Sequence, residues 1–132
     1  MREVHIDEII KVVRDLFMDA NYNLGQDVLD AFDRGSKEDE SPVAREVFKE
    51  LIENARIARE EKTPLCQDCG LAVVFVQLGQ EVHIVGGNFR DAIFEGVRQG
   101  YGEGYLRKSA CNPFTRANTK DNTPAIIHLE LV

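Results

Sequence analysis

The chain has 132 residues, 43% of them hydrophobic and 30% charged, with a formal net charge of −7. That length suits one domain able to bury roughly two thirds of the surface its unfolded chain exposes, and the composition is too apolar for a disordered segment. The acidic balance argues against nucleic acid, no apolar run approaches the ~20 residues that cross a bilayer, and the N-terminus lacks the charge and hydropathy order of a signal peptide, so the expectation is a cytoplasmic protein with neither nucleic acid nor membrane as partner.

The apolar residues Ile6, Ile9, Ile10, Val13, Leu16, Phe17 and Ala20 repeat at three-and-four spacing, which predicts an amphipathic helix from about Ile6 to Asn21. Leu24, Val28, Leu29 and Phe32 predict a shorter second helix, with Gly35 as its terminator. Ser41-Pro42 supplies an N-cap followed by proline at the first helical position, and Val43, Val47, Phe48, Leu51, Ile52, Ala55 and Ala58 then carry a third helix to about Glu60. Its other side, with Arg45, Lys49, Glu53, Arg56 and Glu60, reads as a solvated face of opposite charges at helical spacing.

Pro64 ends helical structure. Leu71 to Leu78, uncharged and rich in β-branched residues, predicts a strand covered on both faces, and Glu81 to Val85 alternates. With Gly79-Gln80 between them, the two runs predict a hairpin. Asn88 caps a further helix through Phe89, Ala92, Ile93, Gly96 and Val97; Tyr101, Tyr105 and Leu106 offer an extension of its face, while Gly100, Gly102 and Gly104 argue against regular structure there. Ala125 to Val132 alternates again, as a strand that stops without a closing turn, which suggests a truncated chain or a subunit fragment whose sheet a partner completes. The predicted fold is α+β: a helical N-terminal half, then a mostly antiparallel sheet with at least one helix packed on it.

Three cysteines, Cys66, Cys69 and Cys111, are an odd number for a disulfide framework. Cys66-x-x-Cys69 alone is a weak zinc signal, since the second pair of ligands is missing, and for a dithiol redox motif the order of helix and strand is reversed. Either a zinc or a dithiol module stays open on these residues. Cys111 reads as a small buried side chain, His83 and His128 as structural histidines, and Arg107-Lys108 as a solvated pair.

Taken together, Pro64-Leu65-Cys66-Gln67-Asp68-Cys69-Gly70, then Glu95-Gly96-Val97, Leu106-Arg107-Lys108-Ser109 and Asn118-Thr119-Lys120-Asp121-Asn122-Thr123-Pro124-Ala125 resemble, in one register, the N-terminal part of the class I, iron–sulfur-dependent fumarate hydratases and the similar alpha subunit of L-tartrate dehydratase. The resemblance implies a hydro-lyase with a 4Fe-4S cluster held by three cysteines, one iron being left open as a Lewis acid for a 2-hydroxy diacid. Cys66 matches one cluster cysteine, Gln67 and Asp68 match the substrate-facing pair, and Arg107 matches the arginine that grips a substrate carboxylate. Asp68 is the acid/base candidate, with substrate orientation as the alternative role. The other cluster cysteines lie beyond the position matching Val132, so the resemblance implies that the remainder of the alpha subunit, and a beta subunit or C-terminal domain, complete a site for fumarate and malate or for tartrate. This chain alone is expected to be colourless and inactive. Two departures stand out: Cys69 replaces a threonine, and Cys111 an aliphatic residue.

Overall fold

The structure, a computed structural model, describes residues 2–132. Its elements run β1 (Arg2–His5), α1 (Ile6–Tyr22), α2 (Gln26–Glu38), α3 (Pro42–Glu61), β2 (Val73–Leu78), β3 (Val82–Val85), α4 (Phe89–Glu103) and β4 (Ile126–Leu131). They form two compact units, residues 19–66 and a second made of residues up to Met18 together with Gln67–Val132.

The smaller unit is built on α2 and α3. Ser41 accepts the Ala44 N–H at the start of α3, with Pro42 behind it, as the sequence signals. Gly35 does not end α2, which continues to Glu38. Its place follows from packing: a Cβ there would lie 2.6 Å from the Phe48 ring of α3, so the missing side chain makes room for the Phe32–Phe48 contact at 6.2 Å between centroids. The charged side of α3 is solvated as expected, with Glu46–Lys49 at 3.2 Å and Arg56 between Glu53 and Glu60.

The larger unit corrects the predicted sheet. β1 pairs with β3 and β2 with β4, and both pairings are parallel. No β2–β3 hairpin forms, although Val82 N–H does reach Gly79 O at 3.0 Å. Tight hairpins need a left-handed residue at the turn, and the glycines with positive φ are Gly70 and Gly86, not Gly79. Past the turn, the Arg2 N–H binds Glu81 O and the Gln80 N–H binds Val132 O, so each strand finds its partner elsewhere in the chain. Between β2 and β4 lies α4, the helical crossover that a parallel pair requires. β1 itself, four residues long, was not anticipated from so short a run.

The β2 strand is not covered on both faces either. Val73 stands opposite Ile126 and Phe75 opposite His128, and all four are exposed, with Phe75 79% accessible and stacked on His128 at 4.8 Å. On the other face Val74, Val76 and Leu78 are half-buried.

The core of this unit is the face of α4 formed by Ala92, Ile93, Gly96, Val97, Gly100 and Tyr101, packed on α1 around Val13 and Phe17. α4 runs through Gly100 and Gly102 to Glu103, further than three nearby glycines suggest. The reason is close approach. A Cβ on Gly96 would sit 2.8 Å from the Ile10 carbonyl oxygen, and one on Gly100 would sit 3.0 Å from that of Arg14. These glycines cost helix propensity and gain contact between the two helices.

Candidate active site

The loop from Lys62 to Ala72 begins where α3 stops. Lys62 takes the left-handed conformation at φ 51°, its N–H bonds Ala58 O, and the Thr63 N–H follows to the same oxygen at 3.1 Å. Leu65 is then held at both ends, its N–H on Asn21 O at 3.0 Å and its carbonyl by Asn54 Nδ2 at 2.7 Å. The chain leaves this anchor into Cys66, which is exposed and ends the smaller unit.

Gln67 opens the larger unit and, like Asp68, is exposed. Asp68 Oδ1 accepts the Gly70 N–H at 3.0 Å, and Gly70 has φ 63°, a left-handed position that glycine fills without strain. Asp68 thereby shapes its own loop.

The second segment, Leu106 to Ala110, lies alongside. Arg107 donates its backbone N–H to Cys69 Sγ at 3.2 Å while its side chain is exposed. Cys69 is buried, so of the two cysteines in the Cys-x-x-Cys pair one offers its thiol to solvent and the other accepts a hydrogen bond inside the protein. The Tyr101 hydroxyl donates to Cys69 O at 2.7 Å. Asn122, fully buried, accepts the Ser109 and Ala110 N–H groups on Oδ1 at 2.8 Å each and donates from Nδ2 to Gly70 O at 3.1 Å. Sequence reasoning gave neither Tyr101, a candidate only for extending the helical face, nor Asn122 a part in the site. Asn122 lies inside a quoted motif, but nothing local announces a buried asparagine.

Electrostatics around these groups are ordered. Burial pushes the Tyr101 hydroxyl up, against its hydrogen bond with Asn122 and helped by Cys69 and Asp68, so the phenol stays a donor at neutral pH. Burial also raises the Asp121 carboxyl, but the hydroxyl and N–H of Thr123 and the Arg98 guanidinium outweigh it and hold the group below the ordinary carboxylate range. Arg98 binds Asp121 at 3.0 Å and Glu95 at 2.7 Å, which ties the turn carrying Asn122 back to α4.

Other expected residues fall elsewhere. Cys111 is exposed, not buried, because it sits at the mouth of a turn where Asn112 caps the N–H groups of Phe114 and Thr115 and an isolated bridge joins Cys111 to Asn118. His83 and His128 lie exposed on β3 and β4. A cleft of about 430 Å³ between α2 and α3, lined by Leu24, Leu29, Asp30, Ile52 and Arg59, contains none of the predicted site residues.

Among the described residues no group of three or more His, Cys, Asp or Glu side chains is placed to hold a metal ion. Cys66 is an exposed cysteine. No helix among the described residues is long and apolar enough to cross a membrane.

The sequence model of the fumarate hydratase (Fumerase) family matches residues 10–132. The chain belongs to that family. Its similarity extends to a protein of Methanocaldococcus jannaschii named "Putative L(+)-tartrate dehydratase subunit alpha", 36% identical over 118 residues, which cover 87% of this chain and 41% of that protein. Fumarate hydratase 2 of Leishmania major is 33% identical over 117 residues, 86% of this chain and 20% of the relative. The anaerobic class I fumarate hydratase of Escherichia coli K12 is 35% identical over 89 residues, 65% of this chain and 16% of the relative. The chain thus spans less than half the length of each of these fumarate hydratase family members.

Proposed function

We propose that these 132 residues are the N-terminal portion of a fumarate hydratase-type hydro-lyase, an alpha subunit or its equivalent, that interconverts malate and fumarate. The observation that carries this reading is the hydrogen bond from Arg107 N–H to Cys69 Sγ, which lays the segment bearing a guanidinium against the loop bearing the Asp68 carboxylate. A dicarboxylate needs a forked cation for one of its carboxylates, and Arg107 offers one in a chain that is acidic overall. Dehydration of malate breaks the C2–O bond, with the electron pair leaving on oxygen, while a base takes the C3 proton and the C2=C3 bond forms. In this reading Asp68 takes that proton, and the Gln67 carboxamide holds the substrate beside it. Cys66 gives one thiolate to a 4Fe-4S cluster whose other ligands come from the rest of the protein. When bound, such a cluster supplies a Lewis acid for the departing hydroxyl.

A second reading, L-tartrate as substrate, is favoured by the Methanocaldococcus jannaschii relative, whose similarity covers 87% of this chain. Both substrates share the 2-hydroxy diacid frame that Arg107, Gln67 and Asp68 would address, so the extra hydroxyl of tartrate is read elsewhere in the complete protein. The test uses that complete protein, purified without oxygen, with Asp68→Asn. Turnover on the preferred diacid is expected to fall by about 10²- to 10³-fold with cluster absorbance retained. Undiminished turnover by that variant overturns the role of Asp68, and steady-state rates on malate and tartrate rank the two substrates.

A further inference from the structure

The proposed substrate groups stand on two loops, and loops are ordinarily the mobile parts of a fold. Productive geometry tolerates little looseness, since a displacement near 1 Å can cost about 10²-fold in rate. Something must hold Gln67–Gly70 against Leu106–Ala110. We propose that Asn122 and Tyr101 act as positioning residues that clamp the Asp68 loop to the Arg107 segment.

Beside the bond from Arg107 N–H to Cys69 Sγ, the Asn122 side chain spans the gap: one end takes the Ser109 and Ala110 N–H groups, and the other gives a hydrogen bond to Gly70 O. Ser109 follows Arg107 by two residues, and Gly70 follows Asp68 by two, so both bridged peptides lie beside the groups to be aimed. Tyr101, 1% exposed on the rigid α4, fixes the neighbouring carbonyl, Cys69 O. The residue type at 122 is doubly specified. Its φ of 61° is left-handed, which asparagine, aspartate and glycine tolerate best. Of these, glycine has no side chain to bridge and an ionised aspartate cannot donate to Gly70 O. An asparagine filling the core for stability alone would not need to join these two segments.

This inference rests on the site assignment made above, and its test separates the two. In the complete, oxygen-protected enzyme, Asn122→Asp and Tyr101→Phe are each expected to lower kcat/KM by about 10- to 100-fold, and on an Arg107→Lys background the same changes are expected to cost less than about threefold. Loss of a merely structural residue lowers the active fraction by the same factor in both backgrounds, so full multiplicative losses overturn the clamp. Unchanged kcat/KM in the single clamp variants overturns it as well. Should Asn122→Asp fail to fold, Tyr101→Phe, which deletes one hydroxyl and keeps the ring, carries the same comparison. Undiminished kcat/KM in Arg107→Lys alone, a variant that touches neither clamp residue, removes the site assignment and the clamp with it.

Discussion

Three glycines of α4 meet different surroundings, which makes Gly→Ala substitution a graded test of how closely α1 and α4 pack. A Cβ at Gly96 would lie 2.7 Å from Val13 Cβ and 2.8 Å from both the Ile10 carbonyl oxygen and Val13 Cγ1. Val13 is buried and the carbonyl is backbone, so neither can yield as a flexible side chain would. Overpacking of this kind costs roughly 1–3 kcal/mol, and the better helix propensity of alanine returns up to about 1 kcal/mol, leaving a net loss of about 1–2 kcal/mol. Gly102 has nothing within 4 Å, so only the propensity gain remains there, roughly 0.5–1 kcal/mol. Gly100, at 3.0 Å from the Arg14 carbonyl oxygen, lies between, with cost and gain nearly cancelling. At roughly 4 °C per kcal/mol for a chain of this size, Gly96→Ala is expected to lower Tm by about 4–8 °C and Gly102→Ala to raise it by about 2–4 °C. Thermal unfolding followed by circular dichroism reads the series. Shifts of one sign and one size at Gly96 and Gly102 would refute the close packing of these helices, and with it the rigidity claimed for the platform that carries Tyr101.

Cys69→Ala removes the acceptor of the Arg107 N–H and is expected to cost about 1–2 kcal/mol; Cys69→Thr should restore at least half of it and Cys69→Val should not, as measured by denaturant midpoints. Asp121 has its folded pKa depressed, so its contribution to stability is present above the unfolded carboxylate pKa and disappears as pH falls through the lower folded value. Asp121→Asn is therefore expected to lower Tm at pH 7 and to lose that difference below about pH 4; a gap that stays constant into acid contradicts the pairing with Arg98 and Thr123. In the complete protein, Cys66→Ser should abolish the visible absorbance of the cluster, and this chain expressed alone should be colourless; a wild-type spectrum from the serine variant contradicts the ligand role given to Cys66.

What the sequence discloses here is what local periodicity can carry. The spans of α1 and α3 and the caps at Ser41 and Asn88 follow from apolar spacing and from side-chain oxygens that accept N–H groups of the first helical turn. Strand pairing does not, because alternation marks a strand and says nothing of its neighbour: β2 and β3 are three residues apart and pair with β4 and β1. Gly35 and Gly100 mislead for a related reason, since a glycine that admits a neighbouring side chain or helix reads in isolation as a breaker. At the proposed site, Gln67, Asp68 and Arg107 were singled out through the motifs that contain them. Tyr101 and Asn122 were not, because their partners lie 32 and 52 residues away along the chain.

Cys69 shows how geometry resolves what spacing left open. As half of a Cys-x-x-Cys pair it left zinc or dithiol chemistry open, and it departs from a motif that carries threonine at this position. Its sulfur accepts the Arg107 N–H from within the protein, and among the described residues no third ligand joins the pair. Threonine carries an oxygen the same number of bonds from its backbone as cysteine carries its sulfur, so either residue can receive that N–H. Position 69 thus takes a short side chain with an acceptor on the first atom beyond Cβ, which a thiol provides. Cys66 and Cys69 thus differ in setting: the first is exposed, and the second holds in place the segment from which Arg107 projects.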